Sequence, residues 1–170
     1  MTIRAKPLRC LFLLALAFAC GAARADLPAA YKALELDQAF ERAAKEGKKV
    51  LVVFTQIRCM PCRYVTGALA RDDVRAAYLP NFVVAEVKLD EANGPAGFKR
   101  FGVRSTPTFV FFTPDRKRIC QSNGFNNPTE GIVLAKTVLH AGKPADGGKI
   151  TCNHLPAEQP DTVHDTTPAL

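Results

Sequence analysis

Val50-Leu51-Val52-Val53-Phe54, followed after a short gap by Arg58-Cys59-Met60-Pro61-Cys62-Arg63, holds the two signals from which the rest of the chain is read. The first is a continuous apolar run of strand type, the pattern of a strand buried on both faces. The second reads as the opening turn of a helix. Two thiols three positions apart in a first turn can close a disulfide with little backbone movement. A helix start also presents N–H groups without intrahelical partners and a positive dipole end, and both stabilise a thiolate. Pro61 suits that turn, because its missing N–H has no intrahelical partner there. A buried strand delivering such a pair points to a thiol–disulfide redox centre.

Upstream, residues 1–25 read as an address. Arg4, Lys6 and Arg9 form a basic start, Leu11 to Ala19 is an apolar stretch too short to span a bilayer, and Ala23-Arg24-Ala25 has the small-x-small pattern of a cleavage site. Cleavage after Ala25 predicts a mature start at Asp26 and export to the periplasm or beyond. The rival is a lipoprotein with Cys20 as the lipidated residue, for which Ala17-Phe18-Ala19 is a poor lead-in. Cleavage removes four basic residues and no acidic ones, so the formal charge of +7 falls to +3. The basicity is therefore weak support for nucleic-acid binding, and no such partner is expected. Cys10 and Cys20 leave as well. Cys59, Cys62, Cys120 and Cys152 remain, an even number suited to an oxidising compartment.

Downstream periodicity predicts one α/β domain over residues 26–141. Leu36 to Glu46 reads as an amphipathic helix, capped by Asp37, burying Phe40, Ala43 and Ala44 and stopped by Gly47. The motif helix runs from Cys62 to about Ala70, with Asp72 to Leu79 as an extension. Phe82–Leu89 and Thr108–Phe112 are strands, Pro95 to Phe101 is a short helix, and Arg116–Gln121 pairs after a turn at Pro114-Asp115. Asn127, Pro128 and Glu130 announce a last helix with Ile132, Val133, Ala135, Val138 and Leu139 on its apolar face. The order fits a central mixed sheet with helices on both faces, parallel at first and ending in a hairpin. From Gly142 to Leu170 no apolar periodicity remains, and a flexible tail is expected, tethered through Cys152.

Taken together, these motifs resemble the thioredoxin fold. The segment from about Leu36 to His140 is similar to exported thioredoxin-like proteins and to the C-terminal domain of DsbD-type reductases. The resemblance is carried by Cys59-Met60-Pro61-Cys62 after a buried strand, by Thr106-Pro107 at the family's cis-proline position, and by Gly124 ahead of the last helix. It implies that Cys59 is the attacking or attacked sulfur and that Cys62 resolves the mixed disulfide. Pro107, if cis, holds the Thr106 backbone facing Cys59 to pair with an extended substrate segment. Met60 reads as a hydrophobic residue facing substrate, and Arg58 and Arg63 as charges favouring the thiolate.

The chain also departs from the family pattern. It has no Trp, and Arg58 stands where the family's Trp precedes the first cysteine. Val53 replaces the buried acid that assists proton transfer, and Glu86 falls where the family has a lysine on the next strand. Glu86, placed inward beside Val52 and Val84, could restore the carboxylate, or it could be a solvated residue near the sheet's end.

Cys120 and Cys152 are expected to form a structural bridge, with free thiols or an internal electron relay as alternatives. A copper site through Cys59, Met60 and Cys62 is the metal reading, but the three histidines lie far downstream, and no metal or other cofactor is expected. Arg116-Lys117-Arg118 reads as a solvated turn rather than a docking patch. The expected function is a periplasmic thiol–disulfide oxidoreductase acting on protein thiols or disulfides, in the reducing direction, as a monomer supplied by a membrane electron donor. The alternative is a thioredoxin-fold binding module or copper-handling protein that holds its partner without turnover.

Overall fold

The computed structural model describes residues 26–140 and 152. The expected signal segment and, apart from Cys152, the expected tail lie outside the described residues. Among the described residues, five α-helices and four strands follow in the order α1 Leu36–Glu46, β1 Lys49–Thr55, α2 Met60–Leu69, α3 Asp72–Tyr78, β2 Phe82–Lys88, α4 Gly94–Arg100, β3 Thr108–Phe112, β4 Arg118–Ser122 and α5 Pro128–His140. The strands form one sheet in the order β2-β1-β3-β4. β1 runs parallel to β2, while β1–β3 and β3–β4 are antiparallel. The α/β thioredoxin fold with a mixed sheet is thus the observed architecture.

The apolar run in β1 is the axis of the molecule because its alternating side chains serve both layers. Leu51 and Val53 join Val65 and Leu69 of α2, Val74 and Tyr78 of α3, and Leu134, Ala135 and Val138 of α5. Val50, Val52 and Phe54 face the other way, toward Ala39, Phe40 and Ala43 of α1 and Phe98 and Phe101. Phe54 meets Phe98 and Phe101 edge-to-face at 5.1 and 5.6 Å between centroids. Each fully buried side chain of this size contributes roughly 1.5–3 kcal/mol of transfer free energy, so a polar residue at any of positions 50–54 would weaken the layer it faces. The segment before α1 straps the β2 edge: the Leu34 N–H bonds the Val84 carbonyl at 2.9 Å, and the Tyr31 hydroxyl donates to the Leu69 carbonyl at 3.0 Å.

Several local expectations need correction. Asp37 does not cap α1: the extended cap residue is Glu35, and Asp37 lies within the first turn, where it binds Arg116 at 2.9 Å. Ala39 rather than Ala44 completes the buried stripe of α1. The stretch Asp72–Tyr78 is a separate helix, because Arg71 takes an extended conformation and redirects the chain. Val133 is 55% exposed, and Leu134 takes the core position. The basic stretch is not the solvated turn expected: Arg116 is half-buried after the turn, and Arg118 is the first residue of β4. Arg116 also lies over the Phe40 ring at 4.6 Å, and Lys117 pairs with Asp115 at 2.9 Å.

The last helix starts as its sequence announces. The Glu130 N–H donates to Asn127 Oδ1 at 2.9 Å, and Glu130 in turn accepts from the Asn126 N–H at 2.9 Å. Reciprocal capping of this kind satisfies donors that the first turn leaves unpaired.

Candidate active site

Three loops meet at the end of the sheet where β1 finishes. The first, Gln56-Ile57-Arg58, carries the chain from β1 to Cys59. Its backbone is held by Asp90, which accepts from the Ile57 N–H at 2.6 Å. Cys59 then caps α2 in extended conformation, and its Sγ accepts from the Cys62 N–H at 3.1 Å. The helix start therefore aims an N–H at the sulfur, as the sequence implied. Cys59 and Cys62 are joined by a disulfide with their Cα atoms 5.1 Å apart. Cys59 is 4% exposed and Cys62 fully buried, so attack from solvent can reach only the first sulfur.

The second loop brings Thr106-Pro107, whose peptide bond is cis. The Thr106 hydroxyl donates to Cys59 Sγ at 3.4 Å. Among the described residues, neither peptide group of Thr106 has a backbone partner.

The third loop leaves β4 through Gly124, whose φ of +80° favours glycine. A Cβ there would lie 3.2 Å from both Pro107 Cγ and Val65 Cγ2, so glycine also allows this loop to close on the cis-proline and on α2. Between the second and third loops runs an open groove of about 370 Å³, lined by Pro61, Tyr64, Pro107, Asn123 and Phe125. The Tyr64 hydroxyl donates to the Asn126 carbonyl at 2.8 Å across its end. Tyr64, Phe125 and Asn126 were not singled out from sequence. An exposed Tyr on the turn after Cys62 was a usable signal, whereas the approach of Phe125 depends on how β4 returns.

Around the disulfide, Met60 is 69% exposed, and Ile57 and Tyr64 are also open to solvent. Arg58 and Arg63 are exposed on either side of the pair. Arg63 Nη1 lies 3.6 Å from the Met60 sulfur.

Glu86 is placed differently from its expected surroundings. It is the Cα partner of Val53 in the parallel β1–β2 ladder, so it shares a sheet face with Val53 and Val84. Val52 points to the opposite layer. Glu86 Oε1 accepts from the Thr55 hydroxyl at 3.0 Å, and Oε2 lies 3.7 Å from Lys88 Nζ. Burial pushes its pKa up, and the Lys88 charge and the Thr55 hydrogen bond only partly offset this. Among the described residues no hydrogen bond joins Glu86 to either active-site sulfur. It is neither a solvated residue nor a direct neighbour of the pair.

Cys120 and Cys152 are bonded to each other and are each 1% exposed, within the layer that also holds α2 and α5. Among the described residues, no hydrogen bond joins them to the Cys59–Cys62 pair. Among the described residues there is no cluster of three metal-ligating side chains, and no helix is long and apolar enough to cross a membrane.

Comparison with known proteins gives this geometry a context. Residues 36–137 match the family described as Thioredoxin-like domain. Thioredoxin H-type 1 of Nicotiana tabacum is 32% identical over 115 residues, 68% of this chain and 83% of the relative. Other plant H-type thioredoxins match over shorter segments, and the chain spans about half of their length, from 52% to 56%. Among solved structures, a thioredoxin from Thermus thermophilus superposes with a TM-score of 0.60 at 24% identity, over 68% of this chain and 95% of that one. The DsbD C-terminal domain of Neisseria meningitidis superposes at 0.50 with 23% identity, over 59% and 91%. Identities this low speak for the fold alone.

Proposed function

Because this chain belongs to the thioredoxin-like family over most of its described residues, we propose that it is a thiol–disulfide oxidoreductase that exchanges disulfides with other proteins through Cys59 and Cys62. One observation carries the reading: the disulfide sits at a helix start with its outer sulfur against the Thr106 loop and its inner sulfur shielded. In the reducing direction, the Cys59 thiolate attacks one sulfur of a substrate disulfide. The substrate S–S bond breaks, a Cys59–substrate bond forms, and the second substrate sulfur leaves as a thiolate. Cys62, once deprotonated, attacks Cys59; the Cys59–Cys62 bond re-forms and the first substrate thiolate departs. Two electrons have passed to the substrate, and a dithiol donor must return them.

Glu86, hydrogen-bonded to Thr55 and to neither active-site sulfur among the described residues, is the carboxylate this reading assigns to proton transfer with Cys62, through an intervening water. Arg58 and Arg63, the exposed helix start and the Thr106 hydroxyl favour the Cys59 thiolate. Pro61 between the cysteines resembles reducing thioredoxins and supports the reductase direction. Export to the periplasm is supported by the basic and apolar pattern of residues 1–25 and by the even set of cysteines that cleavage after Ala25 leaves. A donor outside the cytosol, such as a membrane reductase, follows from that location.

Titrating the Cys59–Cys62 couple of the full mature chain against glutathione buffers tests the activity. A reversible two-electron equilibrium is expected, and a Cys62→Ala variant should accumulate mixed disulfides at Cys59. A pair that never equilibrates with glutathione would leave a binding module and refute the exchange reading.

A further inference from the structure

The arginines divide into two groups. Away from the disulfide, Arg42, Arg71, Arg75 and Arg116 each bind a carboxylate, Arg118 bonds the Phe101 carbonyl and Gln121, and Arg100 lies over the Phe101 ring. Around the disulfide, Arg58, Arg63 and Arg104 are exposed, and none binds a carboxylate among the described residues. Arg58 and Arg104 lie on the loops that meet at Cys59, and Arg63 lies in the first turn of α2. Arg58 precedes it, Arg63 follows Cys62, and Arg104 is two residues from Thr106, whose hydroxyl touches Cys59 Sγ. Its Cα is therefore within about 7.6 Å of the Thr106 Cα.

Two acids bonded to the neighbouring segments are held by amide N–H donors rather than by these arginines. Asp90 accepts the Ile57 N–H, and Glu130 accepts from the Asn126 N–H and the Asn127 side chain. Three guanidinium groups thus remain to meet an incoming partner. The same loops and helix start carry the groove beside Pro107, the Thr106 peptide groups that have no backbone partner among the described residues, and the exposed apolar side chains of Ile57, Met60 and Tyr64. Those features suit an extended chain rather than a compact small molecule.

We propose that this rim selects an extended polypeptide segment carrying acidic residues beside its exchanging cysteine. The inference rests on the exchange reading above and adds the chemistry of the partner. Guanidinium groups that hold no internal carboxylate contribute their full charge to encounter, and they can donate bidentate hydrogen bonds to Asp or Glu once the segment docks. The chemistry of exchange at Cys59 is the same for every peptide disulfide, so the charge of the flanks acts on docking.

Three peptide disulfides of one length, with acidic, neutral or basic flanks, are compared in exchange with the reduced full mature chain. Each rate is taken relative to the neutral peptide, which cancels any change in thiolate reactivity. At low salt the acidic peptide should react about tenfold faster than the neutral one and the basic peptide slower, a gap that narrows as salt rises. Arg104→Glu should shrink or invert the acidic preference, and the salt titration of the unaltered protein tests the same point if that variant does not fold. Equal rates for the three peptides, or a preference that ignores salt, would overturn the proposal and leave exchange intact. Glutathione disulfide reacting as fast as the acidic peptide would overturn the claim of a polypeptide partner. No exchange with any of the three peptides would remove the exchange reading itself.

Discussion

Replacing both Cys120 and Cys152 by Ala should weaken the fold severely without stopping exchange at Cys59. The bridge spans a sequence separation of 32, and closing a loop of that size removes about 3.7 kcal/mol of conformational freedom from the unfolded chain at 25 °C. Both sulfurs are packed in the layer with Leu134, Ala135 and Val138, so each deletion adds a packing loss of roughly 1 kcal/mol. The sum, about 5–6 kcal/mol, is comparable to the whole stability of a marginal domain. With an m-value of about 2 kcal/mol/M, the urea midpoint should fall by about 3 M. The chain has no Trp, so far-UV circular dichroism is the measurement, with Cys59 and Cys62 oxidised in both proteins. A midpoint shift under about 0.5 M would refute the reasoning, because neither the loop term nor the packing term could then be present at its ordinary size. The exchange rate of the variant under native conditions separates a staple from a relay. A folded variant that no longer turns over would mean that Cys120 and Cys152 carry electrons.

Three further outcomes are expected. In the reduced protein, Cys59 should be alkylated with a profile displaced well below the ordinary thiol value of about 8.5 while Cys62 stays protected; an unshifted profile at Cys59 would contradict the helix-start argument. Burial holds the proton on Glu86 more tightly in the folded than in the unfolded chain, so its contribution to stability is fully present below the unfolded value of about 4.3 and is lost as pH rises through the raised folded value. Glu86→Gln should abolish that decline in urea midpoints measured across pH, and a parallel pH profile would exclude burial as the cause. Gly124→Val should cost about 2–3 kcal/mol, from a left-handed φ that a β-branched residue resists and from contacts with Pro107 and Val65, and it should slow exchange with peptide disulfides more than alkylation of Cys59. Equal loss in both assays would mean that the third loop does not shape docking.

The fold was legible because its signals are local and dense. Val50–Phe54 is apolar at every position, so it could only be a strand covered on both faces, and Asn127-Pro128 with Glu130 could only open a helix. Cys59-Met60-Pro61-Cys62 carried the chemistry for the same reason: spacing along one helix turn settles which atoms meet. The failures are of another kind. Asp37 looked like a cap, but its carboxylate was drawn to Arg116, 79 positions away. Val133 and Leu134 are neighbours with similar hydrophobicity, and only the packing of α5 against α3 decides which is buried.

The sequence by itself determined the spacing of the Cys59–Cys62 pair and the order of elements, and its resemblance to the thioredoxin fold marked Thr106-Pro107 as the cis-proline position. Tertiary structure alone decided what surrounds them. The surroundings of Glu86 depend on strand register and on the segment that straps β2, which put Thr55, Lys88 and the Leu27 N–H around its carboxylate instead of a sulfur. Likewise, an arginine in a sequence shows its charge but not its partner. Arg116 is paired with a residue of α1, while Arg58, Arg63 and Arg104 bind no carboxylate among the described residues. Helix starts and apolar runs are properties of a few adjacent residues, whereas the field at a site is a sum over groups that only the folded chain brings together.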